Sequence, residues 1–265
     1  MCHDSLSPLS AEIVARELGS HRLGPFGANT HYLAQVGSTN DVAKALANEG
    51  APEGTLVITD EQTAGRGRMG RRWLAPPNTA LLMSLLFRPA LRATESNRLT
   101  MVAGLATADA IEALTDLSVQ VKWPNDLLIG GAKVAGILAE SGLVGDELEY
   151  AVVGIGINVN MDEIPTDGLF YPATSLLRET NRPVDRVALL RELVARLNGW
   201  YRLLHWSKLD KAWSERMVTL GQQVTAGEME GVAELVDRTG ALWVRQQTGW
   251  LVRLTAGEAT LRPPP

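Results

Sequence analysis

Residues 119–138 read VQVKWPNDLLIGGAKVAGIL, and this stretch decides the fold class. Val119 and Val121 alternate with polar neighbours as in a strand with one buried face. Gly130-Gly131 between two apolar runs is a hairpin-turn signal, and YAVVGIGINVN (150–160) supplies a further strand. Strands joined this closely are antiparallel neighbours, unlike the regular strand–helix alternation of a doubly wound parallel sheet. Upstream, residues 96–115 set Leu99, Val102, Ala106, Ala110 and Leu114 at helical spacing, preceded by strands at 79–87 (TALLMSLLF) and 55–60 (TLVITD). Further back, GSTNDVAKALANEG (37–50) predicts a helix capped by Ser38 or Thr39, striped by Val42, Ala43, Leu46 and Ala47, and closed by Gly50. Residues 9–18 predict a short helix that stops near Gly19. Downstream, residues 185–206 place Val187, Leu190, Val194, Leu197, Tyr201 and Leu204 on one helical face. From about residue 218, short strands punctuated by Gly227, Gly231, Gly240, Gly249 and Gly257 predict a separate small β unit. The expected architecture is α+β.

Over 265 residues, 45% apolar and 21% charged, the chain can bury an ordinary core, which excludes disorder and a disulfide-stapled miniprotein. A formal charge of −5 leaves no global basic field to hold nucleic acid or anionic lipid, so any anion site must be local. Cys2 is the only cysteine, which excludes an intrachain disulfide, a thiolate metal cluster and a Cys-x-x-Cys pair; in a frayed terminus it is no acyltransferase nucleophile. His3, His21, His31 and His205 are scattered, without metal-ligand spacing. There is no leader pattern and no apolar run near the ~20 residues of a membrane span, so a cytoplasmic location is expected. One short helix and a Gly/Pro segment before residue 30 do not make a helix-turn-helix, so no repressor role is expected.

GRGRMG (65–70) matches the dinucleotide-binding fingerprint G-x-G-x-x-G, but Pro76-Pro77 forbids the helix that must start there. What the loop offers is Arg66, Arg68, Arg71 and Arg72 among glycines that let backbone approach a ligand, with Gln62 before it and Trp73 after it. Guanidinium groups bind carboxylate and phosphate oxygens bidentately, so this is a flexible anion cradle; the bland alternative is a solvated, salt-bridged loop. Lys122 and Asp126 fall at or just past a strand end, and Lys133 returns on the hairpin beside Ala135 and Gly136, so the two lysines can converge. Two lysines, several arginines and one carboxylate able to hold Mg²⁺ suit phosphoryl or nucleotidyl transfer, where charge develops on phosphate oxygens. In GIGINVN (154–160), Asn158 and Asn160 alternate with the glycines and are placed to bond a base edge or ribose.

GSTN (37–40), EQTAGRGRMGRRW (61–73), VKWPND (121–126), KVAGIL (133–138) and GIGIN (154–158), taken in this order, resemble the biotin protein ligases over roughly residues 30–205. The resemblance implies a catalytic domain over 30–216, like that of class II aminoacyl-tRNA synthetases with a mixed sheet and flanking helices. It also implies an SH3-like domain over 217–265, leaving 1–29 as an extension. It further implies ATP, biotin and Mg²⁺ as ligands, biotinyl-5′-AMP as intermediate, and transfer to a lysine of a biotin carboxyl carrier domain; the charge and the chain pattern, not the resemblance, are why no nucleic-acid or membrane partner is expected. On matching positions, Ser38, Thr39, Asn40 and Gln62 would line the biotin ureido pocket. Arg66, Gly67 and Arg68 would fold over the adenylate, and Lys133 would meet the biotin carboxylate and α-phosphate. Arg68, Arg71, Trp73, Lys122, Asn125 and Asn158 would bind the nucleotide, with Trp73 stacked on adenine. Asp126 would hold Mg²⁺ or orient the acceptor amine. Sheet edges leave both a homodimer and carrier docking open. A lipoate or octanoate ligase shares this fold and chemistry but carries a glycine-rich acyl-loop motif that is missing here. A non-enzymatic module would instead use Trp200, Trp206 and Trp213 as a protein contact.

Overall fold

The structure is a computed structural model, and it describes residues 8–19, 26–164, 172–227, 229–255, 257 and 260–261. Seven strands form the main sheet: β1 (Thr30–Val36), β2 (Leu56–Gln62), β3 (Ala80–Phe87), β4 (Gln120–Lys122), β5 (Asp126–Ile129), β6 (Ala132–Val144) and β7 (Glu147–Asn158). Their order is β1-β2-β3-β7-β6-β5-β4; β1 runs parallel to β2 and all other pairs are antiparallel. The sheet is therefore mixed, as expected. The 119–138 hairpin forms as read, with Gly130 and Gly131 both at positive φ in its turn.

Side-chain alternation assigns each sheet face. On one, Ile58, Met83, Leu85, Val153, Ile155 and Ile157 join a large core with α1 (Ala11–Leu18), α3 (Asn97–Thr115) and α5 (Arg186–Tyr201). Burial of α3 extends around most of its circumference, which its alanines permit, and a Cβ on Gly104 would stand 2.6 Å from the Trp213 ring. On the opposite face α2 (Thr39–Asn48) covers only part of the sheet, packing Ala43 and Ala47 over Val57, Leu86 and Val152. The rest of that face carries the site.

Three elements depart from the sequence expectation. β1 was not anticipated, because as an edge strand with exposed Leu33 it lacks the apolar alternation that marks a strand. The helix expected over 185–206 ends at Tyr201, and α6 (Ser207–Glu215) is a separate helix after α4 (Leu176–Thr180) and α5. Among the three tryptophans, Trp213 is buried, Trp200 donates to Asp109 at 2.8 Å, and Trp206 is exposed.

A second, antiparallel sheet has the order β11-β10-β9-β8-β12, built from β8 (Gln223–Ala226), β9 (Met229–Val236), β10 (Leu242–Arg245), β11 (Leu251–Leu254) and β12 (Thr260–Leu261). Its buried Val224, Ala233, Leu242 and Val244 are continuous with the main core. Trp123, from the VKWPND motif, bridges the two sheets: its indole donates to the Gly240 carbonyl at 3.0 Å and its backbone N–H to Thr219 Oγ1 at 2.9 Å. No described helix is long and apolar enough to cross a membrane.

Candidate active site

The floor of the site comes from pairing of two strands. In β7, Val152, Gly154, Gly156 and Asn158 share the α2 face, and β6 sets Gly136 opposite Gly156. Three glycines strip side chains from the middle of this surface and leave room for other groups. A Cβ on Gly154 would stand 2.3 Å from Asn40 Oδ1, one on Gly156 2.7 Å from the Trp73 ring, and one on Gly136 3.0 Å from that ring and 3.2 Å from Lys133 Nζ. Above the floor lies a cavity of about 350 Å³, lined among others by Ser38, Thr39, Asn40, Gln62, Arg66, Gly67, Arg68, Arg71, Trp73, Asn125, Asp126, Lys133 and Asn158. Every residue expected at the site except Lys122 and Asn160 lines it.

At one end sits the N-terminus of α2. Ser38 is the N-cap, though its hydroxyl makes no capping bond. Gln62 Oε1 accepts from the Thr39 N–H at 2.8 Å and from its hydroxyl at 3.1 Å. Ser84 Oγ lies 2.7 Å from Thr39 Oγ1 and donates to Asn40 Oδ1 at 2.6 Å, while Asn40 Nδ2 donates to Glu140 at 2.7 Å. These neutral groups are buried and held in place, which suits directional binding of an uncharged polar head.

At the other end the charges collect. Asp126 and Lys122 are paired across β4 and β5, and Lys133 Nζ meets Asp126 Oδ1 at 2.5 Å. Three residues normally separate Lys133 from Gly136 onto opposite faces of β6; a register shift against Leu127 and Leu128 brings both to the α2 face. Burial pushes the Lys122 ammonium below its ordinary range, with Asp126 opposing that shift, and burial likewise lowers the Arg68 guanidinium. Arg68 Nε and Trp73 Nε1 are buried without a hydrogen-bond partner among the described residues. The Trp73 ring lies on the glycine floor with Lys133 Nζ 5.5 Å from its centroid. Asn125 and Asn158 use their amide N–H groups on the Ile137 and Thr174 carbonyls, at 2.7 and 2.9 Å. Asn160 lies outside this group and bonds Val184.

The arginine loop borders the cavity, closed on itself by Gly67 N–H to the Arg71 carbonyl at 2.7 Å and Trp73 N–H to the Gly65 carbonyl at 2.9 Å. Arg66 forks onto Asp41 with two bonds of 2.6 Å. That fork and a neighbouring Lys44 draw the Asp41 carboxyl down to about 2, burial opposing. A depressed carboxyl favours the folded form above its unfolded value of about 3.9 and loses that contribution as pH falls through about 2. Loop order is therefore expected to respond to salt and not to pH between about 5 and 8, as measured by amide protection factors over 66–72, from which the pH dependence of intrinsic exchange is removed.

Ser84, Asp41, Glu140 and Gly136 as floor were not picked out as functional from the sequence. Ser84 had a signal, a lone hydroxyl inside the apolar run ALLMSLLF; Asp41 and Glu140 acquire meaning only from spatial neighbours.

The family described as biotin/lipoate A/B protein ligase matches residues 32–158. The chain is 35% identical over 240 residues to the bifunctional ligase/repressor BirA of Bacillus spizizenii, covering 84% of this chain and 74% of that protein. It is also 35% identical to the biotin–[acetyl-CoA-carboxylase] ligase of Paracoccus denitrificans over 230 residues, 82% of this chain and 94% of that one. Among solved structures, the biotin protein ligase of Aquifex aeolicus in complex with biotin and ATP superposes with a TM-score of 0.73 at 31% identity. That match covers 88% of this chain and 98% of the other.

Proposed function

The chain belongs to the biotin protein ligases, and from that premise we propose that it joins biotin to ATP as biotinyl-5′-AMP and transfers the biotinyl group to a lysine of a carboxylase carrier domain. One observation carries this reading: a single cavity has a neutral hydrogen-bonding end at Thr39 and Asn40, an apolar glycine floor, and a cationic end around Lys133 and Arg68. Biotin has the same sequence of parts, a neutral urea head, an aliphatic stem and a carboxylate. Gln62 and Ser84 hold Thr39 and Asn40 for the ureido group.

In the first step a biotin carboxylate oxygen attacks the α-phosphorus of ATP and pyrophosphate leaves. Lys133, released from Asp126, donates to the carboxylate and to the α-phosphate oxygens that gain charge, with Lys122 and Arg68 adding positive potential. Trp73 offers a flat face to adenine, Arg71 lies beside it, and Asn125 and Asn158 frame the nucleotide end. The orphaned Nε of Arg68 and Nε1 of Trp73 are donors that a bound adenylate would satisfy. In the second step the acceptor lysine amine attacks the acyl carbon and AMP departs; Asp126, which lines the cavity beside Lys133, would orient that amine.

Among the described residues no three His, Cys, Asp or Glu side chains converge as a metal site. One carboxylate suffices for Mg²⁺ that arrives on phosphates, so Asp126 fits as a single protein ligand to the metal of MgATP, whose chemistry is to neutralise phosphate charge.

ATP–pyrophosphate exchange by the purified protein, with biotin, lipoate and octanoate compared, tests the assignment. Exchange with biotin alone is expected. Exchange confined to lipoate or octanoate would move the chain to the sister activity, and silence with all three acids would refute it. Arg66→Ala is expected to raise loss of biotinyl-5′-AMP to solution about tenfold, because an opened loop no longer shields the anhydride; an unchanged loss rate would remove Arg66 from loop closure.

A further inference from the structure

Arg66 reaches outward from the loop to a charged cluster that the reaction itself does not use. Its guanidinium forks onto Asp41 in the first turn of α2 and stands 3.6 Å from Glu140 on β6; Lys44 bridges the two acids at 3.2 and 2.9 Å. Glu140 also accepts from Asn40, the residue at the neutral end of the cavity. Burial tends to raise the Glu140 carboxyl, but bonds from Asn40 and Lys44 outweigh it and keep it ionised. The loop tip itself has little to hold it: Met69 is 76% exposed and sits at a φ of 54°. Residues 65–73 are also held by their own backbone bonds, by Arg68 donating to the Gly257 carbonyl at 3.3 Å and by the Trp73 ring on the glycine floor, so this cluster is the tie that joins the loop to α2 and β6 through Arg66.

We propose that Asp41 is a positioning residue that acts through Arg66, latching the arginine loop over the cavity and setting how long an activated acyl-adenylate stays enclosed. Glu140 is the shared member, because it faces Arg66 on one side and Asn40 on the other. Asp41 bonds only Arg66 and Lys44 in the contacts above, so it is the selective lever. The retention part rests on the proposed adenylate chemistry, whereas the latch does not.

Two measurements separate them. Hydrogen–deuterium exchange of the ligand-free protein over 66–72 reads the latch. Asp41→Asn is expected to speed exchange there about fivefold, the scale of one well-formed surface ion pair, while Asp41→Glu restores protection. Raising NaCl from about 0.05 M to about 1 M should loosen the wild-type segment more than that of Asp41→Asn, which keeps only the longer Arg66–Glu140 pair to be screened. A helix-capping or folding role would instead lower the melting temperature and ignore salt. Equal exchange in wild type, Asp41→Asn and Asp41→Glu overturns the latch, whatever the chemistry. Filter binding of labelled adenylate formed on the enzyme reads retention. Asp41→Asn is expected to release it about fivefold faster with biotin-dependent pyrophosphate exchange near wild type, and equal release overturns the retention claim. Wild-type protein that shows no biotin-dependent exchange overturns the function reading and the retention claim together, and the deuterium measurement then decides the latch alone.

Discussion

Lys133→Ala is expected to lower biotin-dependent pyrophosphate exchange by about 10²–10³-fold, the cost of deleting one preorganised donor from a water-poor site. The loss belongs in kcat more than in KM, because the ammonium meets charge that grows on the α-phosphate. Removing it also takes from Asp126, a carboxylate 5% exposed, its ion-pair partner at 2.5 Å and leaves the charges of Lys122 and Arg68 to compensate it. A buried carboxylate that loses its hydrogen-bonded cation is costly, so the single variant is expected to melt earlier. Lys133→Ala combined with Asp126→Asn removes that charge and should recover the melting temperature without recovering exchange. Activity that returned with stability would show Lys133 to be structural, and near-wild-type exchange in the single variant would remove it from the chemistry.

Gly154→Ala should act at the opposite end of the cavity. The new methyl would stand 2.3 Å from Asn40 Oδ1 and 3.1 Å from its Cγ, and Asn40 has little room to retreat, since Ser84, the Leu138 carbonyl and Glu140 bind it. Displacing it breaks buried hydrogen bonds worth about 1–3 kcal/mol, so the KM for biotin is expected to rise about 10–100-fold. The rate at saturating biotin should change far less, and the KM for ATP should hold, because Lys133 and Trp73 rest on Gly136 and Gly156. A rise in the KM for ATP alone would place the nucleotide over Gly154 and reverse the orientation of the ligands proposed here.

Both variants depend on faces and registers that local pattern reports unevenly. Alternation in YAVVGIGINVN already separates Val153, Ile155 and Ile157 from Gly154, Gly156 and Asn158, and the structure keeps that division. Gly130-Gly131 likewise announces its own turn. Lys133 is different. Simple alternation sets it on the opposite face from Gly136, and only the register shift between β5 and β6 turns it toward Asp126. Trp123 shows another limit: placed within a ligand-binding motif by the sequence, its side chain is spent on the Gly240 carbonyl of the second sheet. β1 escaped notice because an edge strand has no need of two apolar faces.

From the chain alone came the α+β class, helices read over 96–115 and within 37–50, the hairpin, the cationic loop and the set of residues that line one cavity. The class, helices, hairpin and loop follow from periodicity, turn chemistry and charge density, which act over a few residues, whereas the cavity-lining set came with the family resemblance of the motifs. Tertiary structure decided the strand order, the glycine floor beneath Trp73, the pairing of Lys133 with Asp126 and the fork of Arg66 on Asp41. Asn40 and Glu140 meet across 100 positions of sequence, and Arg66 and Asp41 across 25. Such contacts arise when buried apolar faces choose their partners, and no short-range pattern encodes which distant charge will then lie within reach.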